Sequence, residues 1–212
     1  MTTTRRFFSA FSMAFAGVFL LMAFRPAPVQ SPDTTTVQPG TYAMDLSHSQ
    51  VEFKVRHLGI STVKGRFTQA ESTVTFGSEE LSSMQVTATI DASSIFTGND
   101  QRDEHLRGAD FFEVETYPTI TFESTGVSGA EDSEFQLMGN LTMHGVTQPV
   151  TMDVEFLGTA TDPWGNTKVG FEAEAEINRK DFGLTWNQAL EAGGLLVGET
   201  VTITLDVQAA KQ

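Results

Sequence analysis

From Thr41 to the C-terminus, hydrophobic side chains recur at every second position in segment after segment. Residues 171–177 read Phe-Glu-Ala-Glu-Ala-Glu-Ile, with Phe171, Ala173, Ala175 and Ile177 on one side and Glu172, Glu174 and Glu176 on the other. An extended chain sends successive side chains to opposite faces, so this segment predicts a strand with one dry and one hydrated face. The same alternation runs through Val51, Phe53, Val55 and His57, through Val86, Ala88 and Ile90, and through Ile120 and Phe122. It returns in Val150, Met152, Val154 and Phe156 and in Val201, Ile203, Leu205 and Val207. Weaker versions cover 63–67, 71–76 and 135–143, giving about eight or nine strands at the spacing of an all-β domain. Gly and Pro punctuate the breaks, in His144-Gly145-Val146-Thr147-Gln148-Pro149 and in Asp162-Pro163-Trp164-Gly165-Asn166. An antiparallel sheet of this kind that closes on itself turns its apolar face into a lumen.

Asn99 to Arg107 departs from the alternation. It has helix formers, Asn99 or Asp100 as a cap, acids early, Arg107 late and Gly108 as a stop. This predicts a short helix at the barrel mouth, and 187–192 predicts a second helical turn.

Composition changes the picture at the N-terminus. Arg5 and Arg6 precede the uncharged run 7–24, which ends at Arg25 and a Pro-rich stretch, the pattern of a secretory signal over residues 1–30. The Arg pair also fits a twin-arginine signal, and the length of the run also fits an uncleaved membrane anchor. Residues 31–40 are polar and Pro-broken and read as a linker, which leaves 41–212 as one barrel domain. Export to the periplasm is the expectation, with a secreted or anchored form as the variant. With no cysteine, neither disulfides nor an N-terminal lipid anchor on cysteine is available. The chain carries a net charge of −14, and beyond residue 30 ten basic residues face 27 acids. Such a surface repels polyanions, so nucleic acid is not an expected partner.

Candidate chemistry is sparse. His48, His57, His105 and His144 show no metal-ligand spacing, no Gly-x-Ser-x-Gly elbow occurs, and Gly193-Gly194 reads as a plain turn. Asp100, Asp103 and Glu104 read as caps at a helix start rather than acid/base groups. Arg102, Asp103, His105 and Arg107 on the helix, followed by Asp110-Phe111-Phe112, and Arg179 after the Phe171 strand, could hold a polar head group at a cavity mouth. Pairing of Arg102, Arg107 and Arg179 with neighbouring acids, pinning the helix to the rim, is the favoured reading of the same charges. Seventeen Phe against two Tyr and two Trp supply a large apolar core, while Ala88, Ala173 and Ala175 leave room inside it.

Ordered motifs across the domain resemble the YceI family of bacterial proteins. They are Asp45 to Leu58, Gly65-Arg66-Phe67, Arg102 to Arg107 running on through Asp110-Phe111-Phe112 to Tyr117-Pro118, and Gly139 to Thr147. Asp162 to Asn166, Ile177 to Leu184 and Val197 to Val201 continue the series, so the resemblance spans about 41–208. It implies an antiparallel eight-stranded lipocalin-like β-barrel, usually exported, that encloses a long amphiphile such as a polyisoprenoid, an isoprenoid quinone or a fatty amide, with no cofactor and no catalysis. The expected lumen residues are Phe53, Val55, Phe67, Ile90, Phe122, Phe156, Phe171, Ala173, Ala175, Phe182 and Ile203, and Arg102, Asp103, His105 and Arg179 are the head-group candidates. A transient membrane contact and a homodimer are compatible with this reading. Its rivals are an enzyme acting on a lipid or quinone through Asp103 and His105, and a barrel filled by its own side chains that serves as a stress-response interaction module.

Overall fold

The computed structural model describes residues 36–130, 132–189 and 194–212. The signal-like segment 1–30 and the start of the expected linker lie outside the described residues. Eleven strands and one helix follow: β1 (Gly40–Met44), β2 (Gln50–His57), β3 (Ser61–Phe67), β4 (Ala70–Phe76), β5 (Met84–Asp91), β6 (Ile95–Phe96), α1 (Asp100–Arg107), β7 (Thr119–Ser128), β8 (Glu134–Met143), β9 (Val146–Thr161), β10 (Thr167–Asn178) and β11 (Val197–Lys211). Their pairings are all antiparallel, and β1, β4, β5, β7, β8, β9, β10 and β11 form a ring that closes when β1 pairs with β11. The all-β, eight-stranded barrel read from the sequence is therefore the observed architecture.

β2, β3 and β6 form a leaf that continues from β11 past the ring. The long last strand makes this geometry: its N-terminal part pairs with β2 and its C-terminal end with β1. Between β1 and β2 the chain turns at Asp45, whose carboxylate accepts from the Ser47 amide and hydroxyl while its own amide donates to the Gln208 carbonyl. The turn lets one run of sequence serve two places in the sheet.

Along β10, Glu172, Glu174 and Glu176 are exposed, whereas Phe171, Ala175 and Ile177 are buried and Ala173 is partly buried. Alternation alone put these side chains on their faces. One end of the barrel is closed by aromatic packing. Tyr42 meets Phe76 edge-on at 5.7 Å, and Phe171 lies 6.4 Å from Phe76 and 5.2 Å from Phe156 between ring centroids.

Helix α1 starts as expected, with Asn99 Oδ1 accepting from the Arg102 amide at 2.9 Å, and ends at Gly108. Two local expectations are corrected. Thr36 bridges to Glu80, and Val37 is only 3% exposed within the core, so this stretch of the supposed linker is packed. A single Val among polar residues suffices because its amide also pairs with the Glu79 carbonyl at 3.2 Å. Residues 187–189 are not helical: Ala189 bridges to Leu195, and Asn187 bonds both polar groups of the Val197 backbone. The rest of that expected turn, 190–193, lies outside the described residues.

Candidate ligand-binding site

The barrel encloses a cavity of about 230 Å³. Its wall comes from the inward positions of nearly every strand, among them Val51, Phe53 and Val55 of β2, Val86, Ala88 and Ile90 of β5, and Val201, Ile203, Leu205 and Val207 of β11. Along β10 the lining runs from Phe171 to Ile177, a strand length of about 20 Å at about 3.3 Å per residue. The cavity is thus a long apolar slot rather than a round polar cleft. Two aromatic residues are held flat against the wall by glycine. A Cβ on Gly65 would lie 2.4 Å from the Phe53 ring, and one on Gly139 only 2.2 Å from the Phe122 ring. Small residues beneath large rings let the sheet carry Phe side chains without filling the lumen.

Polar groups reach the lining at few places: Glu52, Glu71, Ser72 and Arg179. Glu52 on β2 and Glu71 and Ser72 on β4 belong to two strands that are not hydrogen-bonded to each other, leaving a seam there. Arg179, 3% exposed, follows β10 at the mouth. Its Nε donates to the Gly198 carbonyl at 2.9 Å, and Nη1 donates to the carbonyls of Leu184 and, at 2.9 Å, Trp186. Nη2 reaches the Val197 carbonyl at 3.5 Å. Burial lowers its pKa from the usual guanidinium value and the Glu199 carboxylate opposes the shift, so the group stays charged. Its donors are committed to the backbone of the 184–198 segment.

Of the lumen residues expected from sequence, Phe53, Val55, Phe67, Ile90, Phe122, Phe171, Ala173 and Ile203 line the cavity. Phe156, Ala175 and Phe182 do not. Phe156 lies in the closed end against Phe171, Ala175 is packed into the β10 wall, and Phe182 sits in a short turn where its carbonyl accepts from His144 Nδ1 at 3.2 Å. Period-2 reading finds the inward face of a strand but not how far along the barrel the empty space extends. The throat adds Leu106, Phe111 and Phe112 from α1 and the segment after it, with Phe112 edge-on to Phe67 at 5.8 Å.

Arg102, Asp103 and His105 are not among the lining residues. Thr97 collects the first two: its hydroxyl donates to Asp103 Oδ1 at 2.5 Å and accepts from Arg102 Nε at 2.7 Å, while its amide donates to the same Asp103 oxygen at 2.9 Å. Arg107 donates to the carbonyls of Ser93 and Ile95. The helix is pinned to the barrel, but chiefly through Thr97 and carbonyls rather than the expected acids. His105 Nε2 lies 2.9 Å from Asp110 Oδ2, and its ring packs edge-on against Phe111 and Trp186 at 5.1 and 4.9 Å. Asp103 and His105 thus engage different partners, as residues two apart on a helix do, and form no acid/base pair. Among the described residues no group of three or more His, Asp or Glu side chains is placed to hold a metal ion.

Comparison with known proteins adds three findings. A family model described as YceI-like domain matches residues 42–209. Protein YceI of Salmonella arizonae is 43% identical over 138 residues, covering 65% of this chain and 72% of its own. Among solved structures, the YceI protein of Campylobacter jejuni superposes with a TM-score of 0.62 at 28% identity, covering 74% of this chain and 90% of that one. A polyisoprenoid binding domain from Saccharophagus degradans, described as implicated in plant cell wall breakdown, does so at 0.58 and 18% identity, covering 82% of this chain and all of that one, a likeness of fold. The matched family model spans the barrel from β1 to β11, and on that match the chain belongs to the YceI-like domain family.

Proposed function

We propose that the protein is an exported binding protein that shelters the apolar tail of a long amphiphile, of the polyisoprenoid or isoprenoid-quinone type, for carriage or storage in the cell envelope. The observation that carries this reading is the cavity: a slot lined along β10 from Phe171 to Ile177, whose walls are almost wholly hydrocarbon and aromatic. At about 0.8 kcal/mol per buried methylene, eight carbons supply roughly 6 kcal/mol before the cost of association, so a longer tail binds without any charged anchor. Apart from Glu52, Glu71, Ser72 and Arg179, the walls offer water no polar partner, which makes an apolar occupant the favourable filling. The polyisoprenoid-binding description of the Saccharophagus degradans domain, and the family match, support the same ligand class. The basic-then-apolar segment at residues 5–24 supports export.

The test is uptake. A quinone or polyprenol with a tail of several isoprene units should bind at one per chain and raise the melting temperature, while its tail-less head group should do neither. Turnover of the bound lipid, or stabilisation by the head group alone, would contradict the proposal.

A further inference from the structure

Beyond residue 30 the chain has only ten basic side chains, and four of them, Lys54, Arg56, Lys64 and Arg66, lie on the β2–β3 hairpin. The inward positions Phe53, Val55 and Phe67 line the cavity, so the alternation sends these four to the outer face. Lys54 stands directly opposite Lys64 in the register, a like-charge pairing that does not help the sheet. Lys64 has no ion pair among the described residues; Lys54 meets Glu174 at 3.2 Å, and Arg66 stacks over the Phe96 ring at 5.4 Å. Glu52 is cross-strand to Arg66, Glu199 is taken by Lys180 at 2.6 Å, and the α1 acids Asp100 and Glu104 are reached only past β6. This is a basic island on a strongly acidic protein.

The tip of the same hairpin is apolar and exposed. Ile60 is 84% and Leu58 40% accessible, and Leu195, at 41%, precedes Leu196, whose carbonyl accepts from the Leu58 amide at 2.8 Å. Leu58 holds this place with φ of +55°, a left-handed conformation in which Asn or Gly is at ease and Leu is strained. The turn requires this backbone, since Gly59 follows at φ of +72° and the Ile60 amide donates to the His57 carbonyl at 3.2 Å, but Asn or Gly would serve it better than an exposed Leu. The hairpin also forms one wall of the mouth, because His57 pairs with Val197, whose carbonyl faces the Arg179 guanidinium.

We propose that this hairpin docks the mouth of the barrel on an anionic lipid bilayer. Leu58 and Ile60 enter the boundary between head groups and acyl chains, and Lys54, Arg56, Lys64 and Arg66 meet lipid phosphates. A narrow apolar tip followed by a spread of cations fits a flat anionic interface. The acidic outer wall, repelled by the same lipids, keeps the rest of the barrel off the surface. The inference rests on the proposed lipid binding only for what passes through the mouth.

Co-sedimentation of the lipid-free protein with vesicles tests it, comparing phosphatidylcholine alone with phosphatidylcholine containing phosphatidylglycerol. Binding is expected only to the anionic vesicles and should weaken as salt rises. Lys64→Gln and Arg56→Gln should each weaken it about fivefold. Ile60→Ser should weaken it about tenfold. All three positions are exposed, and unchanged circular dichroism of each variant would show the fold intact. Trp164, 85% exposed in the β9–β10 turn, is the competing anchor, and Trp164→Ala should bind as the parent does. No binding to anionic vesicles at low salt, binding that survives the hairpin substitutions, or binding lost with Trp164 would overturn the proposal. Because partitioning is read without a cavity ligand, its failure leaves the carrier reading standing, and the reverse holds equally.

Discussion

Gly139 shows how much a single hydrogen atom can decide in this wall. A methyl there would meet the Phe122 ring at 2.2 Å and the Glu123 carbonyl oxygen at 2.7 Å, and the backbone atom cannot step aside as a side chain can. Gly139→Ala should therefore cost about 1–3 kcal/mol in denaturant unfolding. Gly126→Ala, whose methyl would meet only the flexible end of Met138 at 3.4 Å, should be nearly neutral. Asp45 governs the β1–β2 turn. Hydrogen bonds from Ser47 and His48, followed by the charge on His48 and a bond from Lys168, hold its carboxyl well below the usual carboxylate range. A carboxyl whose folded-state pKa is depressed stabilises the fold fully above its unfolded value near about 3.9, and the contribution fades as pH falls through the folded value. Asp45→Asn should accordingly lose about 1 kcal/mol near neutral pH, with the gap to the parent closing below about pH 4 in acid titrations of stability. Neither role was legible in the sequence: a glycine in an alternating strand and an Asp before Leu-Ser-His look ordinary until cross-strand neighbours are known.

At the scale of elements, the strands were the legible part. Nine of the ring and leaf segments follow directly from alternation because each strand has one face to bury and one to hydrate. Two short strands were not readable. β6 is only Ile95–Phe96, too short to show a period, and β1 carries a single fully buried side chain, Tyr42. The described parts of the connection from Arg179 to Val197 were opaque for another reason, since one buried guanidinium bonded to four carbonyls, rather than a repeating pattern, holds them. Replacing Arg179 with Met should leave those carbonyls without their donors and destabilise the protein by about 3 kcal/mol. Amide exchange should rise across 184–189 and 194–198 first, while β7–β9 stay protected. Arg179→Lys should recover less than half of the loss, because an ammonium cannot reproduce the planar fork.

For the whole molecule, the sequence conveys a closed apolar interior but not how much of it is empty. Phe156 and Phe171 are register partners on adjacent strands, 5.2 Å apart between ring centroids in the same aromatic end, yet only Phe171 also borders the slot. Which inward ring borders empty space is decided by packing between strands, which local periodicity does not carry. The slot itself depends on small residues, so Ala173→Phe should occupy it from within, abolish uptake of a long-tailed lipid and keep the melting temperature within a few degrees. The central claim, that the barrel holds an apolar tail, is tested most directly by native mass spectrometry of the chain purified from lipid-containing cells without detergent, followed by organic extraction. The account predicts one long-chain isoprenoid or comparable amphiphile per chain, recovered in the organic extract. An empty protein that also refuses added polyprenol and quinone would contradict it.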